Sequence, residues 1–180
     1  NARGEHRHLA LPLEAYGEPW TFGEANDHWI RVSLDLGEAA VSEALGRIGL
    51  GPADVDAILT TSITGLAAPS LDARLANRLG FRADVKRTPV FGLGCVGGAA
   101  GIARAADYVK AYPDQVALLL AVELCSLTFQ RDDLSVANLV SAGLFGDGAA
   151  AVVVAGEERA RRMGLRGLRV VDTRSVFYPD

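Results

Sequence analysis

Strand-like and helix-like segments alternate along the chain from Ser33 onward, and this alternation constrains the fold more than any other feature of the sequence. Such alternation is typical of α/β proteins, in which helices pack on the faces of a sheet. Residues 116–122 are uninterrupted apolar sequence, as expected for a strand that is covered on both faces. We therefore predict an α/β fold with a sheet at its centre.

Capping residues and apolar spacing locate the individual elements. Ser70 is a predicted N-cap, and Gly80 is predicted to end the helix that follows it. The segment that begins at Cys95 is rich in glycine and alanine, so we expect a central, buried helix that its neighbours approach closely. Helices are predicted at residues 36–50, 71–79, 95–111 and 134–144, and strands at residues 57–61, 90–93, 116–122, 149–154 and 168–172. Residues 1–32 are predicted to be irregular.

Composition and charge exclude several classes of protein. With 49% hydrophobic and 22% charged residues, the chain of 180 residues can bury a core, which excludes a disordered or collagen-like protein. The net charge of -4 argues against nucleic acid as a partner, because phosphate-binding domains present a basic surface. The arginine-rich segment 159–169 is interpreted as a solvated face.

Hydropathy and cysteine content indicate the cellular compartment. The apolar runs are shorter than the roughly 20 residues that span a bilayer, and the first eight residues are polar, unlike a signal peptide. We therefore expect a cytoplasmic protein without a membrane span. Thiols stay reduced in that compartment, so Cys95 and Cys125 are expected to be free. Two cysteines without a nearby histidine make a poor zinc site, and we expect no metal.

Cys95 is the strongest candidate for a chemical role. It lies between a predicted strand and a predicted helix, among Gly92, Gly94, Gly97 and Gly98. Unpaired backbone amides at a helix N-terminus stabilise an anion, so a thiolate is favoured there. Such a thiolate is a nucleophile for acyl transfer, and the glycines would let a thioester and its developing oxyanion approach backbone amides.

Two other interpretations of the same segment remain open on the residues alone. Cysteine is among the residue types most often buried, so Cys95 could have a purely structural role. The glycines at positions 92, 94 and 97 also match the dinucleotide-binding pattern, with Glu123 at the end of the next strand as a candidate ribose ligand. That pattern usually marks the first strand of its domain, whereas here an earlier strand and helix precede it.

Three longer motifs carry a resemblance to a known family. They are GCVGGAAG at residues 94–101, VELCSLTF at residues 122–129 and LFGDGAA at residues 144–150. In this order and spacing, the sequence closely resembles bacterial type III polyketide synthases, the chalcone-synthase-like branch of the thiolase superfamily. The resemblance extends from about His8 to the end of the chain.

The resemblance implies a fold, a reaction and a set of partners. The expected fold is the first αβαβα half of a thiolase-like α/β fold, with a mixed five-stranded sheet and a buried central helix. The implied enzyme is a homodimer that loads an acyl starter from coenzyme A onto a cysteine, decarboxylates malonyl-CoA and extends the chain by Claisen condensation. Malonyl-CoA and an acyl-CoA are then the substrates, and no further cofactor is implied.

Individual roles follow by matching positions to the family motifs. Cys95 matches the nucleophile, and Phe145 matches one of two gatekeeper phenylalanines, which separate the coenzyme A tunnel from the cavity. Cys125, Leu127 and Thr128 match cavity-lining positions. Thr61 and Glu123 match a polar network implicated in some cyclisations, and Ala68, with Pro69, matches a loop that reaches into the partner's cavity. Asp147, between two glycines, is expected to be structural and to tie its turn to nearby backbone amides.

One part of the family pattern is not found. The mechanism implied by the resemblance needs a histidine and an asparagine after the cysteine, but all three histidines precede Cys95 and Asn138 lies in no matching motif. We therefore expect residues 33–180 to form the N-terminal half-domain, preceded by the remnant of a longer N-terminal region. The alternatives are a ketoacyl synthase of the fatty-acid initiation type, a dinucleotide-binding domain and a non-catalytic dimerisation fragment.

Overall fold

A mixed, four-stranded sheet forms the centre of the computed structural model, which describes residues 7–179. The strand order is β2-β1-β3-β4, with β1 parallel to both β2 and β3, and β3 antiparallel to β4. The two central strands are almost entirely buried, as their apolar sequences require. The strands are β1 (Ala57–Thr61), β2 (Lys86–Val90), β3 (Val116–Leu124) and β4 (Asp147–Ala155).

Helices cover both faces of the sheet. The helices α1 and α2 pack on one face, where Trp29, Val41 and Leu75 meet Leu118 and Leu120 of β3. The helix α3 packs on the other face, against alternate residues of β1 and β3. The helices are α1 (Phe22–Gly46), α2 (Leu71–Leu79), α3 (Gly97–Ala111), α4 (Val136–Leu144) and α5 (Glu157–Met163). Short 3₁₀ helices occur at Leu13–Tyr16, Pro52–Asp54, Gly94–Val96 and Cys125–Thr128.

The predicted α/β class and the mixed sheet are confirmed, but the predicted fifth strand is wrong. Residues 168–172 form no strand, and Leu168 and Val171 are exposed. A strand needs a hydrogen-bonded neighbour, and within residues 7–179 no strand is paired with this segment. The second strand lies at Lys86–Val90 rather than residues 90–93. It is an edge strand, which accommodates Pro89.

The first helix begins much earlier than predicted. The hydroxyl of Thr21 accepts from the backbone N–H of Glu24, and the Glu24 carboxylate accepts from the N–H of Thr21, which is a capping box. From there a stripe of buried residues at helical spacing continues the helix, so residues 22–32 of the segment predicted to be irregular are helical. The buried stripe consists of Trp29, Ser33, Gly37, Val41 and Leu45.

The glycine-rich helix α3 is buried on one side. Gly97, Gly101 and Ala105 face the sheet and are buried, whereas Ala99 and Arg104 are exposed. No other element in the described part of the chain covers the outer face of α3. Across residues 7–179, none of the helices is both long and apolar enough to cross a membrane.

Candidate active site

Cys95 lies on a tight turn between the edge strand β2 and helix α3. Gly92 and Gly94 have positive φ angles of 89° and 56°, values that residues with a Cβ rarely adopt. The 3₁₀ helix Gly94–Val96 follows at once and leads into α3. The side chain of Cys95 is exposed and its thiol is free. The structure thus places the predicted nucleophile at the surface of this chain, directly before a helix.

Close packing fixes where that helix begins. A Cβ built on Gly97 would lie 2.5 Å from Thr61 Oγ1, and one built on Gly101 would lie 2.5 Å from Leu119 Cδ1. Both distances are shorter than any real Cβ contact, so α3 approaches β1 and β3 as closely as the backbone allows. Thr61 packs against Gly97, the first residue of α3, and so helps to determine the position of Cys95. Its place in a polar network used for cyclisation stays a prediction.

Glu123 holds a compact polar network, but with partners that the sequence did not indicate. Its carboxylate accepts hydrogen bonds from Ser62 Oγ at 3.3 Å, the Ile63 amide at 3.2 Å and Thr64 Oγ1 at 2.8 Å. The Thr64 hydroxyl in turn accepts from Trp29 Nε1 at 3.2 Å and from the Leu124 amide. This set therefore joins helix α1, the segment after β1 and the end of β3.

Thr61 lies outside this network for a simple geometric reason. Successive side chains of a strand point to opposite faces, so Thr60 faces α2, where it donates to Asp72, and Thr61 faces α3. Ser62 and Thr64 follow the end of β1 and turn toward Glu123. The run of hydroxyl residues after β1 was the only sequence feature that could have identified them.

Cys125, the second cysteine, lies in a different environment from the first. Its side chain is half-buried at the start of the 3₁₀ helix Cys125–Thr128, which we call the Cys125 helix. Burial raises the pKa of the Cys125 thiol, and the negative charges of Glu123, Asp147 and a Cys95 thiolate raise it further. Both effects favour the neutral thiol of Cys125 over its thiolate.

Leu127 and Thr128, which were also predicted to line the cavity, differ in their burial. Leu127 is buried in the core beside α1, and the exposed Thr128 donates to the Cys125 carbonyl at 2.8 Å. Both line an open cavity of about 1300 Å³. Among the described residues, the wall of this cavity does not include the other predicted site residues, which are Cys95, Cys125, Glu123, Thr61, Ala68 and Phe145. Other residues of its wall include Tyr16, Trp20, Phe22, Ile63, Leu66 and Phe91.

Phe145 and Ala68 both lie at the surface of this chain. Phe145 follows the last residue of α4 and is 45% exposed, an unusual state for a large aromatic side chain. Ala68 is exposed in the loop before α2, and its peptide bond to Pro69 is cis. Their roles as gatekeeper and as cross-dimer loop stay predictions.

Asp147 ties its turn to neighbouring backbone, as the sequence predicted. Its carboxylate accepts from the Ala10 amide at 2.6 Å, the Ser126 amide at 2.8 Å and the Ser126 hydroxyl at 2.5 Å. The turn that carries Phe145 is thereby joined to the Cys125 helix and to the N-terminal segment. Ser126 and the N-terminal partners gave no recognisable pattern in the sequence.

Comparisons with known proteins agree with this arrangement. Residues 14–158 match the family model described as chalcone and stilbene synthases, N-terminal domain. A 1,3,6,8-tetrahydroxynaphthalene synthase of Streptomyces peucetius subsp. caesius is 60% identical over 97% of this chain and 46% of its own length. A putative chalcone synthase of Bacillus subtilis (strain 168) is 42% identical over 98% of this chain and 50% of its own length.

A solved structure shows the same likeness in three dimensions. The crystal structure of 1,3,6,8-tetrahydroxynaphthalene synthase from Streptomyces coelicolor A3(2), a bacterial type III polyketide synthase, matches with a TM-score of 0.80 and 41% identity. The match covers 83% of this chain and 43% of that structure. The chain spans about half the length of the curated relatives it matches. These matches favour the condensing-enzyme interpretation over a dinucleotide-binding domain, and the chain belongs to the chalcone and stilbene synthase family, whose N-terminal domain it carries.

Proposed function

We propose that this chain is the nucleophile-bearing half of a type III polyketide synthase, an acyltransferase that condenses malonyl-CoA with a cysteine-bound acyl starter. The observation that carries the proposal is the exposed Cys95 on a turn with two positive-φ glycines, directly before the close-packed helix α3. The family match and the named activities of the relatives support it.

The proposed reaction begins at the Cys95 sulfur. The thiolate attacks the carbonyl carbon of an acyl-CoA, a bond forms between that carbon and Cys95, and the bond to the coenzyme A sulfur breaks. Coenzyme A leaves as a thiolate, which takes a proton from water. Malonyl-CoA then loses carbon dioxide, and the electron pair of the broken carbon–carbon bond forms an enolate. The enolate carbon attacks the acyl carbonyl, a new carbon–carbon bond forms, and Cys95 leaves as a thiolate.

Other groups are proposed to serve this nucleophile. The backbone amides at the start of α3 are proposed to stabilise the oxyanion that develops on the acyl group. Phe145 is the proposed gatekeeper, and Cys125, Leu127, Thr128 and Glu123 are proposed to line the cavity or its approach. The histidine and asparagine that the resemblance implies are proposed to come from residues outside these 180.

The substrates, assembly and location are part of the same proposal. The enzyme uses coenzyme A thioesters without a further cofactor, works as a homodimer and is cytoplasmic. Because a relative of 60% identity is a 1,3,6,8-tetrahydroxynaphthalene synthase, this compound is the first product to look for, with malonyl-CoA as the only substrate offered.

The test uses the full-length protein that contains this chain, incubated with malonyl-CoA alone and with a panel of acyl-CoA starters. We expect a condensation product with the unchanged protein and none with Cys95→Ala. Cys125→Ala is the matched control and is expected to retain condensation, with a changed product distribution at most. Absence of product with every starter, or full activity of Cys95→Ala, would overturn the proposed function. Preference for malonyl groups on acyl carrier protein would favour the fatty-acid initiation enzyme instead.

A further inference from the structure

The N-terminal residues 7–17, which we call the N-terminal strap, cross the surface beside Phe145 and the Cys125 helix. The strap contains one short 3₁₀ helix, Leu13–Tyr16, and otherwise has no regular structure. Ala10, Leu11 and Tyr16 pack against the hydrophobic core, and the strap also makes hydrogen bonds to residues more than 100 positions away in the sequence. These contacts hold the strap against the rest of the fold although it has little regular structure of its own.

The first anchor of the strap is Arg7. Its guanidinium Nη1 donates to the Ala142 carbonyl at 2.9 Å and to the Phe145 carbonyl at 3.2 Å. These carbonyls lie at the end of α4, where helix geometry leaves acceptors without a partner in the helix. Arg7 therefore caps α4 and holds the backbone of Phe145 from one side.

The second anchor is a chain of hydrogen bonds whose direction is determined by chemistry. A carboxylate oxygen of Asp147 can only accept, so the Ser126 hydroxyl must donate its proton to Asp147. The Tyr16 hydroxyl lies 2.6 Å from Ser126 Oγ and must then be the donor in that pair. The Leu11 amide donates to the same Tyr16 oxygen, at 3.3 Å.

The Tyr16 hydroxyl is the side-chain link in this chain of hydrogen bonds, and the Ala10 amide, which donates to Ser126 Oγ at 3.4 Å and to Asp147 at 2.6 Å, is a second link from the strap backbone. Tyr16 links the strap to Ser126, the second residue of the Cys125 helix, and Ser126 is bound by both its amide and its hydroxyl to Asp147. Asp147 lies two residues after Phe145 in the chain, whereas the Arg7 contacts are made to the carbonyls of Ala142 and Phe145. The backbone of the Phe145 turn is therefore held at both ends by the strap.

We propose that Tyr16 is a positioning residue which, through Ser126 and Asp147, fixes the Phe145 turn relative to the Cys125 helix. This inference rests on the proposed function in so far as Phe145 is the gatekeeper beside the decarboxylating malonyl group. A misplaced Phe145 then lets malonyl-CoA decarboxylate without delivering its enolate to the acyl group on Cys95. The strap thus sets how much of the decarboxylation ends in condensation.

The first test measures positioning without relying on activity. In the full-length protein, Tyr16→Phe removes the hydroxyl and keeps the ring that packs against Trp20. We expect hydrogen exchange of the amides in Cys125–Thr128 and of the Phe145 turn to accelerate by about fivefold, the factor that corresponds to one hydrogen bond of ordinary net strength. The control is Tyr108→Phe, which removes a hydroxyl bonded to Lys86 and Gln115 at the far end of α3. Unchanged exchange in Tyr16→Phe would overturn the proposal.

The second test measures the consequence for catalysis as moles of condensation product per mole of carbon dioxide released. A loss of folded enzyme lowers both quantities equally and leaves this ratio unchanged, so the ratio responds to positioning alone. We expect the ratio to fall in Tyr16→Phe and Ser126→Ala, and to be retained in Ser126→Thr, which keeps the hydroxyl, and in Tyr108→Phe.

Each outcome has a separate meaning. If Tyr16→Phe does not fold, Ser126→Ala decides by both measurements. An unchanged ratio in both variants would overturn the catalytic part of the proposal. If the unchanged protein forms no product at all, the proposed function has failed, while the exchange rates still decide whether Tyr16 positions the Phe145 turn.

Discussion

Gly97 and Thr61 lie in direct contact, so close that a Cβ on the glycine would be 2.5 Å from the threonine hydroxyl. This contact joins the end of β1 to the start of α3, two residues after Cys95. The position of Cys95, the proposed nucleophile, therefore depends on the absence of one methyl group at Gly97, which gives the first prediction.

Gly97→Ala is expected to displace the start of α3 and with it Cys95. Overpacking of this kind costs about 1–3 kcal/mol of unfolding free energy, and we expect condensation to fall by about tenfold or more, because small misplacements of a reacting group have large effects. Urea unfolding and product formation measure the two effects. The control is Gly98→Ala, since a Cβ on Gly98 meets nothing within 4 Å. If both variants behave alike, the contact with Thr61 does not position the nucleophile.

The second prediction concerns the pH dependence of Cys125. Burial, followed by the negative charges of Glu123, Asp147 and a Cys95 thiolate, raises the pKa of this thiol. Only the thiolate reacts with iodoacetamide, so alkylation of Cys125 is expected to increase with pH in a range above that of a free thiol. Glu123→Gln removes one of the negative charges and is expected to move the profile of Cys125 to lower pH.

Mass-spectrometric mapping of the alkylated peptides measures this profile separately for each cysteine. Cys95→Ser in the same background isolates Cys125 and is also expected to shift its profile to lower pH, because another negative charge is lost. Glu43→Gln is the control, since Glu43 is exposed on α1 and paired with Arg47. A Cys125 profile that is the same in Glu123→Gln and in the unchanged protein would contradict the assigned cause.

The features around Cys95 that depend on local backbone geometry and on a short motif could be predicted from the sequence. The position of Cys95 between a strand and a helix agrees with the prediction because the turn depends on residues close in sequence. Asp147 binds backbone amides as predicted, but its partners Ala10 and Ser126 lie 137 and 21 positions away and could not be named in advance. The early start of α1 was as local as the turn at Cys95, since Thr21 and Glu24 form a capping box three residues apart, but the irregular-looking composition before Ser33 obscured it.

The parts that could not be predicted depend on contacts between distant segments. The Thr64 hydroxyl accepts a hydrogen bond from the indole N–H of Trp29, which lies 35 positions away in the sequence. The Ser126 hydroxyl accepts a hydrogen bond from the hydroxyl of Tyr16, which lies 110 positions away. Nothing in the local pattern of a serine or threonine shows which donor will reach it. The predicted strand at residues 168–172 has suitable apolar composition, but composition does not supply the neighbouring strand that pairing requires.

The third prediction concerns the ion pair between Asp72 and Arg87, which joins α2 to the edge strand β2. Asp72 is fully buried and accepts from Arg87 Nη1 at 3.1 Å, whereas the Arg87 side chain is 45% exposed. Arg87→Ala leaves the buried Asp72 carboxylate with only the Thr60 hydroxyl as a partner among the described side chains. Removal of one member of a buried ion pair lowers the free energy of unfolding by about 3–5 kcal/mol. Because water reaches the Arg87 side of this pair, we expect a loss of about 2 kcal/mol. Arg161→Ala breaks an exposed pair with Glu157 and is expected to leave stability nearly unchanged. Urea unfolding of the two variants measures the difference, and equal stabilities would mean that Asp72 is satisfied without Arg87.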